Sequence, residues 1–287
     1  MNQASAVFEE HRAMLFGIAY RMLGSVADAE DIVQEAWLRW SAVTDPVTRP
    51  RAYLARTVTN LAVNRLRSAS AQREDYVGPW LPEPLVAEPD ATEDVERAES
   101  VSLAMLVVLE TMSPLERAVF VLKEVFGFSY GEIAGIVDRS EGSVRQVGHR
   151  ARSHAHARRP RYDVSQRLQR QVTEEFLAAC LGGDLNRMLE LLAPEVTAWT
   201  DGGGKVQSAL RPLYGADKVS RWLLGVLQRQ QAQVGARVVE VNGEPGVLVT
   251  VAGVPDTVAC GEVTEDGRIS VLRLIRNPDK LHGLLLS

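Results

Sequence analysis

Two cysteines, Cys180 and Cys260, are all that the 287 residues contain. So sparse a supply builds no disulfide framework, and both sit in apolar contexts, so buried thiols of a cytoplasmic protein are expected. Histidine is nearly as scarce: five scattered residues form no Cys/His cluster, which argues against a structural metal site and points to no cofactor. No segment approaches the roughly 18 apolar residues of a membrane span. The opening MNQASAVFEEHR has neither the basic start nor the apolar run of a secretion signal, so no membrane partner is expected. Excess positive charge is also missing. A formal net charge of -5 excludes a protein that coats nucleic acid unselectively, and any DNA affinity has to come from local patches. The length suggests two or three compact units, each with its own core.

What is abundant is basic charge on helical patterns. In SYGEIAGIVDRSEGSVRQVGHRAR, residues 129–152, the turn Asp138-Arg139-Ser140 splits two such patterns. Ile133, Ile136 and Val137 share one face of the first, with Ser129 as N-cap and Glu132 three residues on, a capping box. The second buries Val144 and Val147 and turns Ser143, Arg145, Gln146, His149, Arg150 and Arg152 outward. Between Arg139 and Arg161 stand seven arginines and one acid, Glu141. A solvated face mixes signs, whereas neutralising phosphates needs one sign on one side. A short helix, a tight turn and a longer helix with a basic end make a helix-turn-helix, whose second helix lies in the major groove.

Upstream, residues 6–24 are apolar-periodic and end at Gly24, and Ser25 caps VADAEDIVQEAWLRW. There Ile32, Val33, Ala36, Trp37 and Trp40 form a buried stripe opposite Asp28, Asp31 and Glu35. The breaks Asp45-Pro46 and Arg49-Pro50 mark a loop over 43–50. A third helix, RAYLARTVTNLAVNRLRSA, follows, and from Arg49 to Arg73 there are six arginines and no acid. Asn60 and Asn64, four apart, share a face beside those arginines, where amides bond phosphates or the edges of unstacked bases. Next comes QREDYVGPWLPEPLVAEPDATEDVERAES, whose four prolines and one glycine forbid regular structure in its first part. It carries seven acids and one base from Glu83 to Glu99. Trp80 and Leu81 are apolar anchors in this otherwise polar tether, which suggests that it docks. Residues 101–112 form a further helix, and Ser113-Pro114 caps LERAVFVLKEVFG.

This order and spacing resembles the bacterial sigma factors of the extracytoplasmic-function type over residues 1 to about 160. The resemblance implies that 28–40, with Asp28, Asp31, Gln34, Glu35 and Leu38, docks on the clamp helices of the β′ subunit of core RNA polymerase. It implies that 43–50 and the following helix, with Arg49, Arg51, Arg56, Asn60, Asn64 and Arg65, melt and read the −10 element of promoter DNA. Helix 141–152 is implied as the −35 reader, with Gln146, His149 and Arg150 as base contacts and Arg139, Ser143 and Arg145 on phosphate. Arg152 extends that surface.

A minimal protein of this type stops near Arg161, yet about 125 residues follow, enough for an independent domain. An amphipathic helix (164–180) buries Val172, Phe176, Leu177 and Cys180, and LNRMLELLA forms a second that Pro194 ends. Strand-like pieces at 196–200, 205–209, 237–242, 247–252, 257–263 and 269–275 follow, with a helix at 216–231 between the second and third. The pattern resembles the SnoaL-like α+β fold, a curved antiparallel sheet and helices forming a cone, sometimes around a small ligand. Catalysis is not expected: His282 is the domain's one histidine, and Glu195, Glu240 and Glu262 have no visible partner for acid–base work.

In DGGGK (Asp201, Gly202, Gly203, Gly204, Lys205) the upstream glycine of a phosphate loop is missing, and Val206 replaces its Ser/Thr. Successive glycines instead permit close backbone approach. NPDKL, with Asn277, Pro278, Asp279 and Lys280, is a turn signal after the last strand. Together with WLPEP (Trp80, Leu81, Pro82, Glu83), these stretches resemble a subgroup of such sigma factors whose SnoaL-like extension contacts the sigma body and tunes its activity. The expected map is a multidomain chain: an all-α region 2 bundle (1–77), an acidic linker (78–100), an all-α region 4 helix-turn-helix (101–162) and the α+β regulatory domain (163–287). The alternative is a stand-alone helix-turn-helix regulator with a ligand-sensing SnoaL-like domain. It would have no use for the acidic helix or for the Asn60/Asn64 helix.

Overall fold

The computed structural model describes residues 3–87, 101–158, 164–229 and 233–285. The acidic run 88–99 of the expected linker, and Arg159 and Arg161 of the basic end, lie outside the described residues. Packing divides the chain into two compact units, Met1–Glu74 with Met105–Arg159, and Asp75–Ala104 with Pro160–Ser287.

The first unit is helical. Helix α1 (Gln3–Leu23) closes at Gly24, whose φ of 66 satisfies a left-handed C-cap. Ser25 then accepts from the Asp28 amide at 3.2 Å to open α2 (Val26–Ser41). Helix α3 (Pro50–Glu74) starts on a proline, which lacks only an N–H that this position leaves unpaired anyway. Leu15, Ile18, Met22, Ile32, Leu54 and Val58 form the buried seam of these three helices, and the Trp40 indole donates to the Ala4 carbonyl at 2.8 Å. Trp37, expected in the buried stripe, is only half-buried. Helix α4 (Leu103–Glu110) leads to α5 (Pro114–Phe120), which Ser113 and Glu116 open with a capping box. A π-helical turn (Val121–Val125) follows, then α6 (Tyr130–Val137) and α7 (Glu141–Arg158).

Two arginines join these helices. Arg117, 3% exposed, donates to the Met22 carbonyl at 2.5 Å and to Glu110 at 2.6 Å. Arg51 lies over the Phe128 ring at 4.2 Å and donates to the Phe126 carbonyl at 2.9 Å.

The second unit is α+β. Helix α8 (Gln166–Gly182) is opened by Ser165 and closed by Gly183, and α9 (Leu185–Leu191) is capped by Asp184. Strands β1 (Val86–Ala87), β2 (Leu192–Asp201), β3 (Leu213–Tyr214), β4 (Val234–Val241), β5 (Glu244–Val251), β6 (Val254–Val263) and β7 (Ile269–Ile275) form one sheet. Their order is β1-β4-β5-β6-β7-β2-β3. Helix α10 (Ala216–Gln228) joins β3 to β4, and α11 (Pro278–Leu281) follows β7. Val172, Phe176, Met188, Val196, Val219 and Leu272 fill the core between helices and sheet. The hairpins β4–β5 and β5–β6 turn on Asn242-Gly243 and Ala252-Gly253, all four with positive φ, the backbone of a type I′ turn.

This is the expected SnoaL-like cone with three corrections. The sheet is mixed, because β2 and β7 pair in parallel. Residues 205–209 are not a strand; the chain doubles back after Gly202-Gly203-Gly204, and the outer pairing falls to Leu213–Tyr214 instead. Leu177 and Cys180 are half-buried rather than buried.

Glu110→Ala leaves the Arg117 guanidinium buried without its carboxylate, and a loss of about 3 kcal/mol is expected. Urea unfolding reads it as a lower midpoint at unchanged slope. A loss below about 1 kcal/mol would assign the pair to the solvated surface class.

Candidate nucleic-acid interface and tether seat

The helix-turn-helix is built as its residue types demand. The Ser129 hydroxyl accepts from the Glu132 amide at 3.2 Å, and the Ser129 amide donates back to the Glu132 carboxylate at 2.8 Å. Asp138 ends α6 with φ 53, a left-handed conformation that the short polar side chain tolerates. Ser140 accepts from the Ser143 amide at 3.3 Å to open α7. Val144, Val147, Gly148 and Ala151 are buried; Gly148 admits Tyr130, whose ring would stand 3.1 Å from a β-carbon there. Arg145, Gln146, His149, Arg150 and Arg152 are exposed on one side, as the spacing predicts, whereas Ser143, expected outward as well, is half-buried.

Part of that basic charge is held in place by acids. Arg145 pairs with Glu141, Arg150 lies 3.7 Å from Glu116, and Arg152 lies 3.2 Å from Glu124. Such exposed pairs are weak, so phosphates can displace them. Arg139 donates to the Asp138 carbonyl at 3.2 Å at the turn.

On α3, Arg56, Asn60, Asn64 and Arg65 are exposed, with Arg49 in the preceding loop. Arg51 is engaged with Phe126 and Phe128 instead of standing free. Arg65 pairs with Asp28 of α2 and approaches Asp31 at 3.9 Å. The acidic row and the basic helix are thus electrostatic neighbours, which the linear sequence did not reveal. Gln34, Glu35 and Leu38 project outward, Leu38 with 60% of its surface exposed.

The three short motifs of the tether and the C-terminal unit converge on one carboxylate. Asp201, at the end of β2, is fully buried. It accepts from Lys280 at 2.7 Å, the Leu81 amide at 2.8 Å, the Tyr76 hydroxyl at 2.5 Å and the Gly203 amide at 3.1 Å. Lys280 also bonds the Leu81 carbonyl and lies over the Trp80 ring at 4.1 Å. Burial, then the hydrogen bond to Asp201, raises the Tyr76 phenol well above its ordinary value, which keeps it a donor.

The rest of the seat is equally close-fitting. Asn277 caps α11 through the Asp279 amide and donates to the Tyr76 oxygen at 2.9 Å. A β-carbon on Gly203 would stand 2.4 Å from the Asn277 amide nitrogen, one on Gly202 2.5 Å from Ser208, and one on Gly204 3.0 Å from Val77. The glycine run is therefore required for contact. Lys205 pairs with Asp279 at 2.6 Å at the rim. Leu81, Pro82 and Glu83 are buried and Trp80 half-buried. Further along, Leu85 and Asn242 exchange bonds of 2.8 and 3.0 Å, and Val86–Ala87 extends the sheet beside β4. Sequence reasoning missed Tyr76 and Asn242. Asn242-Gly243 is a pair that favours a hairpin turn, but nothing nearby announces that the Asn242 side chain also holds the tether.

The C-terminal acids are structural where they are paired. Glu262 binds Arg273, and Asp256 binds Arg276 at 3.0 Å. Burial pushes both cysteine thiols up to about 12, which leaves them poor nucleophiles. Among the described residues no cluster of potential metal ligands occurs, and no helix is long and apolar enough to cross a membrane.

Comparison with known proteins agrees with this geometry. The sigma-70 region 2 family matches residues 7–72, and the sigma-70 region 4 family matches 102–154. The chain is 40% identical to the ECF RNA polymerase sigma factor SigJ of Mycobacterium tuberculosis, over 96% of this chain and 92% of that one. It is 33% identical to the probable ECF RNA polymerase sigma factor SigI of the same species, over 98% and 95%. The crystal structure of the M. tuberculosis SigJ protein superposes with a TM-score of 0.78 at 36% identity, covering 97% of this chain and 98% of that one. A region 2 followed by a region 4 defines a transcription-initiation factor that works with core RNA polymerase on promoter DNA. The chain belongs to the extracytoplasmic-function sigma factors, in a form that carries an additional α+β domain.

Two outcomes follow from these sites. Lys280→Met leaves Asp201 buried without its cation and should cost about 3–5 kcal/mol, read by calorimetry of the C-terminal unit. Adding Asp201→Asn should recover part of that loss, and no recovery would count against the pair as its source. The hydrogen bond from the Ser129 hydroxyl, then that from its amide, holds the Glu132 carboxyl below its ordinary range, and Ser113 does the same for Glu116. The caps therefore contribute fully above the ordinary glutamate range and lose their contribution as pH falls through the lowered folded values. Amide resonances of Ser113 and Ser129 should titrate with midpoints below that of an unstructured glutamate; ordinary midpoints would contradict the capping boxes.

Proposed function

We propose that the α+β domain of this sigma factor regulates promoter recognition by holding the segment that joins the two DNA-reading modules. In this reading 1–77 binds core polymerase and reads the −10 element, 101–162 reads the −35 element, and 78–100 is the tether. Residues 163–287 are the regulator. The observation that carries it is the convergence of WLPEP, DGGGK and NPDKL on the Asp201 carboxylate, to which the tether gives the Leu81 amide and Tyr76, just ahead of the tether, its phenol, while the Leu81 carbonyl accepts from Lys280. A tether fixed along 78–87, with Tyr76 held just ahead of it, limits how far the modules it joins can separate. Releasing it lengthens their reach.

Asp28, Asp31, Gln34, Glu35 and Leu38 meet the clamp helices of the β′ subunit. An exposed leucine among exposed acids suits a basic partner with an apolar groove. Arg49, Arg56, Asn60, Asn64 and Arg65 engage the −10 strand, Arg65 exchanging Asp28 for phosphate. Arg51 joins them once it leaves Phe128. Gln146, His149 and Arg150 meet −35 base edges, and Arg139, Ser143, Arg145 and Arg152 the flanking phosphates. The α+β domain acts by contact and not by turnover, consistent with its paired acids and unreactive thiols.

The test compares the full chain with residues 1–162 for affinity to core polymerase and to promoter DNA at one stated salt concentration. The reading expects the two forms to differ, and identical affinities in both assays would end it. Arg150→Ala should weaken −35 binding by about 1–3 kcal/mol and leave core binding intact. Equal losses in both would remove Arg150 from the base-contact set.

A further inference from the structure

Helix α10 separates two adjoining cavities of the C-terminal domain. The inner one, about 120 Å³, is lined chiefly by Phe176, Leu177, Trp222, Leu223, Val249 and Leu272. Its volume is close to that of an engineered apolar cavity of about 150 Å³ that takes up benzene. The outer one, about 400 Å³, is lined by Arg221, Arg229, Gly225, Gln207 and Ser208. Trp222, Val226 and Arg276 border both, so the apolar space and the basic one, its mouth, adjoin across these three side chains.

The mouth is built by helical spacing. Arg221, Gly225 and Arg229 recur every four residues, and Gly225 has nothing within 4 Å of where a β-carbon would stand. A helix-interior glycine costs stability, and here it leaves the mouth open. The charges do not cancel. Arg221 is answered by Asp217 and Arg276 by Asp256, whereas Arg229 has no carboxylate partner among the described residues. Arg276 is 9% exposed and its Nε–H has no hydrogen-bond partner among the described residues. A buried guanidinium with an unused donor, beside an unanswered cation at the mouth of an apolar chamber, fits a negative group attached to an apolar body.

We propose that this chamber binds a small amphipathic carboxylic acid, its apolar body against Trp222 and Leu223 and its carboxylate between Arg229 and Arg276. Arg276 also donates to the Gln207 carbonyl at 2.6 Å. Its amide bonds the Asp201 carbonyl at 2.7 Å, and its neighbour Asn277 holds Tyr76. A carboxylate drawing on Arg276 competes with Gln207, in the segment whose glycines seat the tether. That consequence rests on the regulatory reading above; the binding itself does not.

The test is calorimetric titration of the full chain with octanoate and, in parallel, with 1-octanol. Saturable octanoate binding, at least tenfold tighter than 1-octanol, is expected. Gly225→Leu places an apolar side chain at the mouth, where a β-carbon has no neighbour within 4 Å, and should abolish octanoate binding. Arg229→Ala should weaken octanoate at least tenfold and leave 1-octanol unchanged. Both variants alter exposed or open positions, and cooperative thermal unfolding at or above the midpoint of the unmodified chain verifies their fold. Absence of saturable octanoate binding, equal binding of the alcohol, or full binding by Gly225→Leu would overturn the site. None of these results bears on the comparison of the full chain with 1–162, so the two readings fail separately.

Discussion

A carboxylate removed from water has to be answered by donors, and Asp201 is answered by four at once. One comes from its own loop and one from α11, and two come from a segment more than a hundred residues earlier in the chain. The isolated charge would cost far more than any one of these bonds returns, so the site is stable only when the set is complete. That completeness ties the tether to the α+β domain. The three glycines after Asp201, the cap on α11 and the aromatic rings around Lys280 each serve the same enclosure. The tether then continues as an edge strand, which replaces the open hydrogen bonds of β4 with a partner from the sigma body's own linker.

The helical unit follows a different physical logic. Its elements are fixed by local chemistry, namely serine capping boxes, a proline start and apolar stripes, and its exposed basic faces carry weak ion pairs. Arg65 with Asp28 and Arg145 with Glu141 keep basic side chains extended and solvated without committing them. Arg117 and Arg51 are different, since their partners are backbone carbonyls, a buried acid and aromatic rings. They hold helices together.

What was legible in the sequence divides along the same line. Ser129 with Glu132 and Ser113 with Pro114 announced helix starts because capping is a matter of at most four consecutive residues, and the outward face of α7 followed from its period. The parallel pairing of β2 with β7 was not legible, because register between distant strands leaves no local trace. Residues 205–209 read as a strand by composition, yet the preceding glycines turn the chain onto Asn277 and Ser208 and leave no partner for it. DGGGK and NPDKL were marked as unusual, but their shared centre was hidden. Asp201 and Lys280 stand 79 residues apart, and Tyr76 a further 125 from Asp201. Tyr76 has no motif of its own, and only the fold gives it a partner.

The most direct measurement of whether the tether is seated is hydrogen exchange at the Leu81 and Leu85 amides in the full chain. Both point into bonds with the C-terminal domain, to Asp201 and to Asn242. The account predicts that they exchange far more slowly than the same residues in a free peptide, and that Asp201→Asn accelerates Leu81 most. Exchange at the free-peptide rate in the unmodified chain would contradict it.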